Sequence, residues 1–298
     1  MSIRLQMLQV ARLAPKLLGD SADLVKHFFL AQHNADGGFK DRQGRSDLYY
    51  TVFGLDGLLA LQAEFNSGSV FDFLEEEEHW EELDFVHLCC LARCRAALEQ
   101  LGPSERRFSV PRHEILDRVE MYRTPDGGYS QAHRSNASTT YASFLALGAY
   151  QDLKAEMPQP ERMLESIYQL RTPDGAWAND RSMKVGSTNA TAAALTVLRQ
   201  FDEPAPAGTG DWLMARAHPQ GGFLAAPQAP LPDLLSTATA LHALAGLEMD
   251  LAAVKEPCLD FIDSLWTNAG GFHGHWSDDA LDVEYTYYGL LALGHLSL

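Results

Sequence analysis

The residues best equipped for chemistry lie near the end of the chain, in Asp282-Val283-Glu284-Tyr285-Thr286. Two carboxylates and a phenol open a long apolar run. A carboxyl group kept neutral in a dry pocket, with a partner holding its proton, is a proton donor. A plainer account also fits, because Asp is a favoured helix N-cap and an acid in the first turn suits the helix dipole. That same dipole stabilises carboxylate and so opposes protonation. Just upstream, the loop His273-Gly274-His275-Trp276-Ser277-Asp278-Asp279 sets an HxH pair beside acids. Such a set suits a divalent ion, with Asp233 and Glu284 as further ligands, although two histidines in an acidic loop more often hold nothing. Aromatic residues gather in three places: Tyr49, Tyr50 and Phe53; Tyr141 and Phe144; Tyr285, Tyr287 and Tyr288. They either pack in a core or line an apolar cavity whose π faces attract cations.

What must position these residues is a repeat. A turn recurs as ADGGF, PDGGY, PDGAW, PQGGF and NAGGF, with its first glycine preceded by residues 36, 126, 174, 220 and 269. The later intervals are 48, 46 and 49 residues and the first is 90, so a copy without the glycines falls in Phe71–Leu101. Within each unit an amphipathic stretch leads to the turn, and a short loop follows. A polar residue then comes four positions before a Thr that opens an apolar run: Asp47/Thr51, Asn136/Thr140, Ser187/Thr191, Asp233/Thr237 and Asp282/Thr286. Each polar residue is a natural N-cap, and each run is apolar all round, as a buried helix should be. The expected fold is all-α: an (α/α)6 toroid of six helical hairpins, apolar helices inside and amphipathic ones outside. One domain is expected over 1–298, with repeats at roughly 20–65, 66–102, 106–153, 158–202, 208–248 and 250–298. Ala190, Ala192, Ala193 and Ala194 leave room in the inner ring.

Composition narrows the function. Of 298 residues, 46% are hydrophobic, and the net charge is −17. That balance opposes nucleic-acid binding and adhesion to anionic membranes. No run reaches the roughly 18 apolar residues of a membrane span. Met1–Asp20, with Arg4, Arg12 and Lys16 interrupting its apolar positions, reads as an amphipathic first helix of a cytoplasmic protein rather than a secretory signal. Cys89, Cys90, Cys94 and Cys258 read as buried helical thiols, and Glu75–Glu78 as a solvated acidic face. P-loop, nucleophile-elbow and zincin motifs do not occur.

The turns DGGF, TPDGGY and TPDGAW, each followed by an apolar helix, resemble the repeats of protein prenyltransferase β subunits. Squalene–hopene cyclases and other class II terpene cyclases share that repeat. The likeness covers about 260 residues and is closest in Gly221–Leu241 and Gly270–Leu298. It implies an isoprenoid ligand in a central apolar cavity. In the prenyltransferases, zinc is held by an Asp, a Cys and a His, and here those positions are Asp233, Leu235 and Tyr285. The family's phosphate-binding His aligns with Asn136, and the loop Leu224–Pro232 has no basic residue. Zinc-dependent protein prenylation is therefore not expected. The cyclases' D-x-D-D-T frame matches Asp282–Thr286, with Glu284 at the central acid position.

The resemblance thus implies an isoprenoid-handling toroid of the prenyltransferase and terpene cyclase type, with acid-initiated cyclisation carried by Asp282 and Glu284. Tyr285 and Asp233 would shape the site, and Tyr49, Tyr50, Phe53, Tyr141, Phe144 and Tyr288 would hold substrate. A non-catalytic toroid that binds lipid or protein, a partner subunit or a second copy among them, competes with it. A divergent prenyltransferase β subunit and a carboxylate-pair glycosidase are weaker alternatives.

Overall fold

The computed structural model describes residues 1–76, 80–102 and 106–298. Two helices lead the chain, α1 (Ile3–Ala11) and α2 (Pro15–Leu18). Six hairpins follow, each an outer helix and then an inner one. They are α3 (Ala22–Ala31) with α4 (Leu48–Ala60), α5 (Ser67–Glu75) with α6 (Phe85–Gln100), and α7 (Arg112–Glu120) with α8 (Thr140–Asp152). Then come α9 (Pro160–Tyr168) with α10 (Thr188–Gln200), α11 (Thr209–Met214) with α12 (Leu234–Gly246), and α13 (Ala252–Leu265) with α14 (Val283–Leu296). Each inner helix packs on the next, and α14 packs back on α4, so the ring closes. This is the expected (α/α)6 toroid.

The repeated turn is built the same way in five units. The aromatic after the glycines is Phe39, Tyr129, Trp177, Phe223 or Phe272, at most 2% exposed. Its backbone N–H donates to a hydroxyl on the inner helix: Thr51, Ser143, Thr191, Thr237 or Thr286, at 2.9–3.3 Å. The turn is thus anchored through side chain and main chain together. Asp47, Ser187, Asp233 and Asp282 cap their helices as expected. Unit three differs, because Thr139 rather than Asn136 caps α8 by accepting the Ala142 N–H. The cap lies three residues later there, so Ser143 takes the anchoring role that the spacing gave to Thr140. Asn136 is exposed.

Glycine matters most where a turn docks on the neighbouring outer helix. Gly270 has φ +87°, and a Cβ there would lie 2.2 Å from the Leu24 carbonyl oxygen of α3, where unit six meets unit one. Gly175 has φ +92° but open space around it. Gly270→Ala is therefore expected to cost about 2–4 kcal/mol, strain plus clash, and Gly175→Ala about 1 kcal/mol from strain alone. Urea unfolding of the two variants measures the difference.

The first helix does more than expected. α1 packs on α4, α8 and α14, lying across the end of the ring where the inner helices finish. Its Ile3 N–H donates to Gln151 Oε1 at 2.9 Å, and Ile3, Met7, Leu8 and Ala11 are buried. Arg4 is buried as well, because acids on the inner helices meet it. The four cysteines are free and buried, as expected. Of the acidic run, Glu75 accepts the Ser109 N–H and Glu76 ends α5, while Glu77 and Glu78 lie outside the described residues.

Candidate active site

The ring encloses a cavity of about 390 Å³. Tyr49 and Phe53 from α4, Tyr141 and Phe144 from α8, and Tyr288 from α14 form much of its wall. The rings touch: Tyr49 and Phe53 meet edge-on with centroids 5.1 Å apart, and Phe53 and Tyr288 are tilted to each other at 5.5 Å. Ala190, Ala192 and Ala193 line the side where α10 leaves room. Asn179, Ser187 and Asn189 supply polar atoms, with Thr239 donating to Asn189 Oδ1 at 2.8 Å. Five of the six expected aromatic wall residues converge here. Tyr50 does not line the cavity but sits near Asp282 and Glu284, whose charges, with burial as the larger cause, push its phenol up to about 12.

Glu284 stands just behind this wall. The Tyr49 hydroxyl donates to Glu284 Oε1 at 2.6 Å. Burial, opposed by that hydrogen bond and aided by Asp282, pushes the Glu284 carboxyl up to about 7. Its proton is thus held to far higher pH than in an exposed carboxyl, despite its place in the first turn of α14. Tyr49 is held protonated far above its ordinary value by burial and by the charges around it.

The other expected acid is engaged differently. Asp282 Oδ1 accepts the Tyr285 N–H at 2.9 Å, and Oδ2 accepts Nε of Arg42 at 2.8 Å. Both contacts use carboxylate lone pairs, so Asp282 caps α14 and anchors Arg42, while burial raises its pKa. Arg42 also pairs with Asp278 at 2.9 Å and lies 5.5 Å over the Tyr285 ring. Tyr285 packs against Gly274 and forms no part of the cavity wall. Asp233 likewise caps α12, taking both the N–H and the hydroxyl of Ser236 at 2.7 Å, and lies off the wall.

The metal reading does not assemble. The Nδ1 atom of His273 contacts the Ala280 carbonyl, and the same atom of His275 accepts the Ser277 N–H. Among the described residues no three His, Cys, Asp or Glu side chains converge as metal ligands. Nor do the residues present fit the family's zinc. Asp233 is committed to its cap, Leu235 has no donor atom and lines the cavity, and burial pushes the Tyr285 phenol up to about 12.

Reasoning from sequence missed Arg42 and a buried quartet at the closed end. Asp56 Oδ2 accepts Nε and Nη2 of Arg93 at 2.9 and 2.7 Å, and Oδ1 accepts Nη1 of Arg4 at 3.3 Å. Arg4 Nε lies 3.5 Å from Asp152. An Asp in the middle of the apolar α4 was the available signal. Cys89 and Cys90 also line the cavity, and burial keeps both protonated, Cys90 pushed up to about 12.

The shift at Glu284 has a signed consequence for stability. Its folded pKa of about 7 lies above the ordinary 4.5, so the stability it contributes is present in acid and lost as pH rises between those values. The melting temperature of Glu284→Gln minus that of the unaltered protein is expected to grow between pH 4.5 and about 7 and then level off. Thermal melts across that range check it.

A six-hairpin toroid with an aromatic inner wall and a half-buried acid at the head of its last inner helix defines a class. The family model for the prenyltransferase alpha-alpha toroid domain matches residues 4–89, 72–190 and 184–297, and the chain belongs to that family. Among solved structures it is similar to the type II terpene cyclase MstE from Scytonema, at 15% identity and a TM-score of 0.60, covering 95% of this chain and 97% of that one. A variant of that cyclase in complex with geranylgeranyl dihydroxybenzoate matches at 14% identity, with the same coverage and TM-score. A protein from Actinoplanes matches at 16% identity and a TM-score of 0.59, over 93% of this chain and 98% of that one. No curated protein matches the sequence. No helix among the described residues is long and apolar enough to cross a membrane.

Proposed function

We propose that this protein binds an isoprenoid chain in its central cavity and cyclises it by protonation, with Glu284 as the acid. The observation that carries the reading is a half-buried carboxyl, its pKa raised by desolvation, that accepts the hydroxyl of Tyr49, whose ring lines an aromatic and otherwise apolar cavity. Protonation of a terminal alkene forms a C–H bond and leaves a tertiary cation. Neighbouring alkenes attack that cation in turn, and the faces of Phe53, Tyr141 and Tyr288 stabilise the migrating charge. Loss of one proton ends the sequence, so the product is an isomer of the substrate and Glu284 regains its proton from solvent. The complex of the Scytonema cyclase with a geranylgeranyl arene supports the choice of a long prenyl chain. The same reading places the protein in the cytoplasm, with any partner subunit or second copy accessory to the chemistry.

The test is incubation with geranylgeranyl dihydroxybenzoate in D2O. A cyclised product carrying one deuterium at a carbon position supports the proposal. A chain that binds with its alkenes unchanged would instead favour a non-catalytic lipid-binding toroid.

A further inference from the structure

A second cleft lies on the outside of the ring, where α5, α6 and α7 meet. It measures about 750 Å³. Among the described residues its lining holds Arg95, Arg106, Arg107, Arg112 and Lys154 with one carboxylate, Glu99. In a chain of net charge −17 such a concentration of cations needs a reason. Local pairing supplies only part of one. Asp72 pairs with Arg106, and Glu99 is shared by Arg112 at 2.6 Å and Lys154 at 3.3 Å. Among the described residues no carboxylate lies within ion-pair distance of Arg95 or Arg107, and Glu75 and Glu99 act on Arg95 only from farther away.

Arg95 is the decisive residue. It is 2% exposed, it lines the cleft, and its Nε has no hydrogen-bond partner. Among the described residues its guanidinium makes one hydrogen bond, from Nη1 to the Val110 carbonyl at 2.7 Å. A desolvated cation with an idle donor is unfavourable unless an anion joins it. Its planar face is already occupied, since the guanidinium carbon lies 4.4 Å over the Phe108 ring. Phe108 in turn stacks on Phe71, whose outer face Arg106 covers. Both rings of the cleft are thus already engaged, by each other and by Arg95 and Arg106. What the cleft offers is guanidinium edges, which suit phosphate oxygens.

We infer that this cleft binds a small phosphate-bearing anion carrying more than one charge, of the diphosphate class. The site is separate from the central cavity and does not depend on the function proposed for it.

The experiment is isothermal titration of the full chain with inorganic pyrophosphate at physiological salt, beside Arg107→Glu and Lys154→Glu, two variants at exposed positions that should fold normally. The expected result is saturable binding near one per chain, weakened at least tenfold by either reversal and weaker for orthophosphate. No saturable binding overturns the inference, and so does binding that both reversals leave unchanged. Vesicles of phosphatidic acid separate a lipid headgroup from a free ligand. Cosedimentation that needs Arg107, without binding of pyrophosphate, would overturn the assignment to a free diphosphate.

Discussion

Glu284→Gln is expected to reduce cyclisation by about 10²- to 10⁴-fold, the usual worth of a positioned general acid. The substitution keeps the shape of the side chain. Its amide oxygen can still accept the Tyr49 hydroxyl, now 2.6 Å from the carboxyl oxygen, so the aromatic wall should remain in place. What is lost is the transferable proton. If substrate affinity, measured by equilibrium binding, is unchanged while turnover collapses, the defect lies in the chemical step. Turnover within a few-fold of the unaltered protein would remove Glu284 from the mechanism. The pH profile supplies a second check. The acid acts in its neutral form, so the rate should be level in mildly acidic solution and fall about tenfold per unit above a midpoint near 7.

Tyr49 sharpens the same argument. Its hydroxyl stabilises the charged form of Glu284, so Tyr49→Phe should raise the carboxyl's pKa further and move the falling limb to higher pH. Tyr49 lines the cavity and Glu284 stands behind it, so a proton leaving the carboxyl has the phenol in its path. A relay of that kind predicts that Tyr49→Phe also lowers the plateau rate, by about tenfold or more. Direct donation predicts a shifted profile with the plateau preserved.

How much of this was legible in the sequence differs between fold and site, for physical reasons. The turn repeats because its glycines must bring the chain against a neighbouring helix and its aromatic must plug the gap between helices. Both demands are local, and both leave a residue signature. The aromatic wall was legible because an inner helix that is apolar all round must turn some rings inward. Tyr50 went the other way, since at one helical position from Tyr49 it faces the loop end and Arg42 rather than the cavity. Arg42 itself was hidden by distance, lying 240 residues from the Asp282 it holds. The division of roles between Asp282 and Glu284 was equally hidden. It depends on which carboxylate the arginine reaches and which one the cavity tyrosine reaches. Asn136 was the wrong choice of cap, and spacing from the turn would have found the right one: 139 − 126 = 13, as 187 − 174, 233 − 220 and 282 − 269 also are, so Thr139 stands where Ser187, Asp233 and Asp282 stand in their units.

Asp56→Ala is expected to destabilise the fold by about 3–5 kcal/mol, the range for breaking a buried ion pair by removing one partner. Asp56 is fully buried and serves both Arg93 and Arg4, so its loss leaves two guanidiniums with only Asp152 between them. Asp152 is a poor substitute, since burial pushes its carboxyl up to about 6 even with both arginines nearby. Urea unfolding should show the loss, and a change below about 1 kcal/mol would mean that the four charges are not coupled. Replacing both Asp56 and Arg93 by leucine and methionine should recover much of it, because the remaining Arg4 keeps Asp152 as its partner. The quartet also ties α1 across the end of the ring, and under the proposed mechanism that closure would keep water from the cation. Arg4→Ala should therefore loosen α1, seen as faster amide exchange over Ile3–Ala11. It should also divert product from the isomer toward an alcohol heavier by one water. If amide exchange over α1 rises and the product stays wholly an isomer, water is excluded by the aromatic wall alone and not by the helix that Arg4 holds down.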